Sequence, residues 1–179
     1  QHCSLPVKSC IGNHDVWGWN KTKSKTTGRE PLWGKKRAVK ELRLPHRYYS
    51  FDQAGWHFVV LDSTYPSDNE HGYIAKMDEE QFAWLSKDLK QTSAQTPVSI
   101  LSHQPILSAS VFFDGDNEES GNWQIPAAWA HIDARRLKDL FKQHPNAKLA
   151  LSGHVHLLDR VDYCGVTYLY SQERPTCEF

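Results

Sequence analysis

Short apolar runs alternate along this chain with polar, turn-forming stretches. Residues 7–11 read as a buried strand that ends in the loop opening at Gly12. Residues 32–42 read as a short helix stopped by Pro45, which lacks an amide donor and biases the residue before it away from helix. Residues 48–51 and 56–61 read as two strands, with Asp52, Gln53, Ala54 and Gly55 as their hairpin connection. The run Phe58-Val59-Val60-Leu61 is continuous rather than alternating, the pattern of a strand buried on both faces.

Residues 78–90 carry the clearest helical signal. Asp78 is placed to cap it, and Gln81 stands where a capping box needs its partner. Glu79 and Glu80 suit the positive end of the helix, and Lys87 and Lys90 the negative end. Phe82, Leu85 and Leu89 form one apolar stripe. Residues 98–101 read as a strand running into Ser102 and His103. Residues 105–126 are irregular, with a turn at 114–117. Residues 133–143 form a second helix around Leu137, Leu140 and Phe141, and residues 148–151 and 166–170 two further strands. Three of the strands thus end directly in a polar or histidine-bearing loop: at Asn13-His14, at His103 and at His154. In layered α/β sheets, sites collect at such strand ends.

Composition narrows the function classes. A chain of 179 residues with 39% hydrophobic and 23% charged residues is globular and long enough for one domain with a real core. Lys plus Arg and Asp plus Glu number 21 each, so charge gives no case for nucleic acid or an acidic membrane as partner. No apolar run is long enough to span a bilayer. The chain opens at Gln1 without a signal-peptide pattern, and its single methionine is Met77, so it reads as processed or as a piece of a longer product. Cys3, Cys10, Cys164 and Cys177 form no C-x-x-C pair, which argues against a zinc ribbon. Two disulfides would allow three pairings; four unpaired thiols is the preferred reading, and the compartment stays open between cytoplasm and extracytoplasmic space.

Gly12-Asn13-His14-Asp15 combines a neutral oxygen donor, an imidazole and a carboxylate able to orient it. By itself, this motif divides evenly between a site and a polar turn. His103, taken alone, is an ordinary half-buried histidine. Gly153-His154-Val155-His156 is the strongest signal, because two histidines at i and i+2 after a strand can chelate one metal or point to two.

In this order, G-N-H-D, a histidine after a strand, and G-H-x-H resemble the calcineurin-like metallophosphoesterase family over nearly the whole chain. The stretches Tyr48-Tyr49-Ser50-Phe51, Gly55-Trp56-His57-Phe58 and Phe112-Phe113-Asp114-Gly115-Asp116 are similar to its bacterial branch related to cyclic-nucleotide phosphodiesterases. The resemblance implies an αββα layered sandwich of two mixed sheets with outer helices. Asn13, His103 and His154 match ligands of one metal, and His156 a ligand of the other. His14 matches the histidine facing the scissile phosphate, with Asp15 holding it. The implied cofactors are two divalent metal ions; mixed nitrogen and oxygen ligands favour manganese, iron or zinc over calcium. The implied reaction is hydrolysis of a small phosphomonoester or phosphodiester by a metal-bridged hydroxide.

The family pattern also has D-x-H and G-D segments ahead of G-N-H-D, and both are absent here. Residues 1–179 therefore read as the C-terminal part of a single domain truncated at its N-terminus, with about half of a dinuclear site. The tail at 171–179 also ends early for this branch. A non-catalytic binding module on the same fold is the rival reading. Trp17 and Trp19 read as cover for the core beneath a loop rather than as a base-stacking platform. The acidic residues Asp114, Asp116, Glu118 and Glu119 read as a solvated loop, and the basic residues from Lys21 to Arg37 as a solvated face.

Overall fold

The computed structural model describes residues 6–113 and 115–170. Its centre is a six-stranded mixed sheet. Strand β1 (Tyr49–Gln53) pairs antiparallel with β2 (Trp56–Val60) through a tight turn in which Ala54 and Gly55 both have positive φ. The right-handed twist of paired strands favours such a two-residue connection, so the hairpin is tighter than the four-residue link expected. Three further strands lie parallel beside β2: β5 (Val98–Leu101), β6 (Ala147–Ser152) and β8 (Val166–Tyr170). An antiparallel strand, β7 (Asp159–Tyr163), closes the other edge, giving the order β1-β2-β5-β6-β8-β7.

Helix α3 (Glu79–Gln91) connects β2 to β5, and α4 (Ala134–Lys142) connects β5 to β6. Leu85 and Leu89 of α3 join Leu137, Leu140 and Phe141 of α4 in one buried cluster with Val59, Ile100, Ala150 and Tyr168 of the sheet. Both helices therefore cover the same face, as right-handed crossovers along a parallel sheet require. Two short helices, α1 (Lys21–Ser24) and α2 (Lys35–Glu41), precede the sheet.

Among the described residues the second sheet is a two-stranded antiparallel ribbon of β3 (Thr64–Pro66) and β4 (Tyr73–Ala75). Residues 7–11 run without a strand ladder. The Ser9 amide donates instead to the Tyr49 hydroxyl at 3.1 Å, and that hydroxyl donates back to the Ser9 carbonyl at 2.9 Å. Helix α2 begins three residues later than expected, because Gly34 takes a positive φ ahead of it. Asp78 caps α3 through the Gln81 amide at 2.9 Å. The Gln81 side chain does not complete a capping box. It is fully buried and bonds both the amide and the carbonyl of Asp62 at 2.8 Å.

Cys10 and Cys164 are unpaired, and Cys3, Cys177, Asp114 and the tail at 171–179 lie outside the described residues. No helix among the described residues is long and apolar enough to cross a membrane.

Candidate active site

The loops that follow residue 11, β5 and β6 meet at one end of the sheet. Asn13 opens a 3-10 turn (Asn13–Asp15), and its Oδ1 lies 2.8 Å from Nε2 of His103. The same Nε2 lies 3.2 Å from Nδ1 of His154. The Asn13 oxygen can only accept, so His103 Nε2 carries the proton and His154 Nδ1 shares it as a second acceptor. The Gly153 amide donates to the His103 carbonyl at 3.1 Å, so the two histidine loops are also joined through the backbone. Gly12 lies against the His103 ring, where an added Cβ would stand 3.0 Å from three of its atoms. Only a residue without a side chain allows that approach.

His154 and His156 have φ of 74° and 55°. Left-handed backbone at a residue other than glycine costs roughly 1–3 kcal/mol and is concentrated at functional sites. Burial, reinforced by the neighbouring His103 and opposed by the Ala128 backbone, pushes the pKa of His154 down to about 4. Its ring is therefore neutral near pH 7, the state in which imidazole ligates a metal. His156 and His14 add smaller electrostatic contributions in the same direction. His156 is exposed.

Donors held about 2.0–2.2 Å from one ion stand roughly 2.8–3.6 Å apart, according to the coordination geometry. The two separations in the trio of Asn13, His103 and His154 fall in that range. A divalent ion in place of the shared proton would meet the same lone pairs. The trio is however entirely neutral, with two imidazoles and an amide. Among the described residues, no three or more His, Cys, Asp or Glu side chains are gathered as a metal site. The trio therefore fits part of a metal centre that takes its anionic ligands from elsewhere.

His14 is exposed beside the trio. Asp15 accepts the Gly12 amide at 2.8 Å, which closes the turn, and it forms no hydrogen bond to the His14 ring. His14 and Asp15 open onto a cleft of about 510 Å³ that Trp17, Asn20, Lys23, Arg37 and Glu41 also line. The Arg37 guanidinium lies 5.2 Å from the centre of the Trp17 ring and has no ion-pair partner among the described residues. The loop carrying Trp17 is well tied. Gly34 donates to the Trp17 carbonyl at 2.7 Å, and the Trp33 indole and the Thr26 hydroxyl both donate to the Gly18 carbonyl, at 3.0 and 2.9 Å.

A buried ion cluster fastens this loop to the sheet. Asp62, directly beyond β2, has a fully buried side chain. It pairs with Lys35 at 2.6 Å and Arg47 at 3.0 Å, and Arg47 reaches Asp78 at 2.7 Å. Lys35 also caps the Thr64 carbonyl and lies 5.3 Å from the centre of the Trp19 ring. Trp17 and Trp19 are thus half-buried partners of cations. Cys10 donates to the Leu61 carbonyl at 3.1 Å, and burial, aided by Asp62, pushes its thiol up to about 12. That thiol is inert near neutral pH.

Comparison with solved structures fits this architecture. A purple acid phosphatase from yellow lupin (Lupinus luteus) seeds superposes with a TM-score of 0.54 at 17% identity, over 93% of this chain and 30% of that one. A dimetal phosphatase from Danio rerio gives 0.52 at 16% identity, over 69% and 48%. The chain has the calcineurin-like metallophosphoesterase fold. A 3′,5′-cyclic-nucleotide phosphodiesterase of Nostoc sp. is similar in sequence, 25% identical over 133 residues, covering 74% of this chain and 44% of the relative. No protein-family model matches the chain. The chain spans less than half the length of each of these relatives. Within the metallophosphoesterase fold, Asn13, His103 and His154 stand together at the sheet end, as their strand-end positions suggested. Sequence reasoning missed Asp62, whose place after an apolar strand was a visible signal, and the buried His131 with its half-buried partner Asp133.

Proposed function

We propose that the protein to which this chain belongs is a metal-dependent phosphoester hydrolase. The observation that carries this reading is the convergence of Asn13 and His154 on His103 at the sheet end, 2.8 and 3.2 Å from its Nε2. Asn13, His103 and His154 would hold one divalent ion and His156 would serve a second. Manganese, iron and zinc suit the donor set. Such ions supply Lewis acidity toward the phosphoryl oxygens and a nucleophilic water at neutral pH. Residues 1–179 form one part of a longer domain, and the remainder provides the carboxylate ligands that the neutral trio lacks.

The chain's own residues do the rest. His14, exposed at the rim, donates a proton to the leaving oxygen. Asp15 holds His14 indirectly, by closing the turn on the Gly12 amide. Arg37 and Lys23 attract the anionic substrate into the cleft beside His14. The Nostoc relative makes phosphodiesters the first substrates to try, and the phosphatase fold relatives keep monoesters in the assay.

The test is elemental metal analysis of the full-length protein beside hydrolysis of bis(p-nitrophenyl) phosphate and p-nitrophenyl phosphate. Bound metal with turnover that EDTA abolishes is the expected result. Metal-free protein, inert on both esters after incubation with manganese, iron or zinc, would leave the binding-module reading in its place.

A further inference from the structure

Behind the trio lies a buried chain of polar side chains that the hydrolase reading has not used. Asp133 Oδ1 is 2.8 Å from His131 Nδ1. His131 Nε2 is 3.2 Å from Ser102 Oγ, and that hydroxyl donates to the Gln104 carbonyl at 2.7 Å. The order Asp, His, Ser is that of a nucleophilic triad, but the setting differs. Ser102 and His131 are each 4% exposed, and the serine proton is committed to a backbone carbonyl. A nucleophile needs an open approach to its oxygen.

What the arrangement does hold is His103. Ser102 and Gln104 flank it, and the bond from the Ser102 hydroxyl to the Gln104 carbonyl clamps the backbone on both sides of the ring. His131 fixes the rotamer of that hydroxyl. Its own amide donates to the Pro105 carbonyl at 2.9 Å, bracketing the far side of the same turn. Asp133 fixes the His131 ring and is itself pinned by the Met77 amide at 3.0 Å. The same segment carries Ala128, whose backbone hydrogen bond acts on His154. Two of the three donors in the trio are therefore backed by one stretch of chain, residues 128–133.

We propose that Asp133, His131 and Ser102 are positioning residues for the candidate metal centre, setting the His103 ring through the Ser102–Gln104 clamp. This rests on the hydrolase reading for its purpose, though the coupling itself exists without metal. Hydrogen-bonded groups behind a ligand typically tune metal affinity by about 10–100-fold.

The test uses Asp133→Asn and Ser102→Ala in the full-length protein. Asp133→Asn keeps the shape while weakening the hold on His131. Ser102→Ala removes a single oxygen, so it serves if the first variant fails to fold. Histidine ring spectra of the metal-free protein are the first readout. The His103 and His154 ring signals should move in both variants, while His46, packed against Tyr48, stays in place. Titration with manganese is the second readout, and affinity should fall by roughly 10–100-fold in the folded variants. If melting temperature drops while the His103 and His154 signals and the metal affinity of the folded protein stay at wild-type values, the relay is only structural and the proposal is overturned. A wild-type protein that binds no metal would refute the hydrolase reading instead, and the ring spectra would still decide the relay.

Discussion

Asn13 and His103 are 90 positions apart in sequence, yet the amide oxygen of one lies 2.8 Å from the ring nitrogen of the other. The contact joins the loop carrying His14 to the loop beyond β5. Replacing His14 and replacing a member of the trio should therefore have different consequences. His14→Ala in the full-length protein should lower turnover by about 10²–10⁴-fold with metal content intact, because the task proposed for it is proton transfer. His154→Ala should lower metal occupancy and turnover together. Metal analysis and kinetics on an alkyl and a nitrophenyl ester check both, with His14→Ala hurt less on the nitrophenyl ester, whose leaving group needs little protonation.

Arg37 is held against Trp17 with no carboxylate paired to it among the described residues. Arg37→Ala should raise KM by roughly 10-fold or more and leave kcat nearly unchanged, since a hydrogen bond to a charged group contributes about 1.5–3 kcal/mol and the contact is made equally in ground and transition states. Initial-rate kinetics decide it. A fall in kcat at constant KM would move Arg37 from binding to chemistry.

His57 lies between two carboxylates, with Nδ1 2.7 Å from Asp52 and Nε2 2.9 Å from Asp88. Burial opposes its charge, but hydrogen bonds to Asp88 and Asp52 outweigh burial and raise its pKa. A raised pKa means that the folded state holds the proton more tightly than the unfolded chain. The resulting stability is complete below the unfolded pKa, near 6.5, and is lost as pH rises through the folded value. Urea midpoints should fall as pH rises through that window, and His57→Gln should remove this part of the pH dependence.

Asp62 has a fully buried carboxylate whose Oδ1 has no hydrogen-bond partner, while Oδ2 takes both Lys35 and Arg47. Lys35→Met should destabilise the protein by about 3–5 kcal/mol, because it strips a partner from a buried charge. Adding Asp62→Asn should recover part of that loss. Chemical denaturation of the single and double variants measures the difference.

The strands leading to His103 and His154 were legible because their apolar runs stop abruptly at Ser102 and Ser152, whereas the similar run at 7–11 forms no ladder. Strand β7 was not, because Asp159, Arg160 and Asp162 interrupt it and its pairing comes from the ladder with β8 rather than from burial. Asp133 stands directly before α4, at the start of the helix expected over residues 133–143. The structure spends its carboxylate on His131 and Met77, so no local pattern announces the relay. Gln81 misleads by its spacing: a good capping-box residue, it is taken by the Asp62 backbone.

The chain enters and leaves the segment between Trp17 and Gly34 at one bridge, and the hydrogen bonds to the Gly18 carbonyl fill its interior. Such a segment behaves as a cassette. Its sequence and length can be exchanged between the two bridge residues while the sheet end beneath keeps its shape, since loop-closure entropy grows only slowly with length. Grafting foreign loops at 18–33 is thus a route to reshaping one wall of the cleft beside His14 without touching the histidine trio.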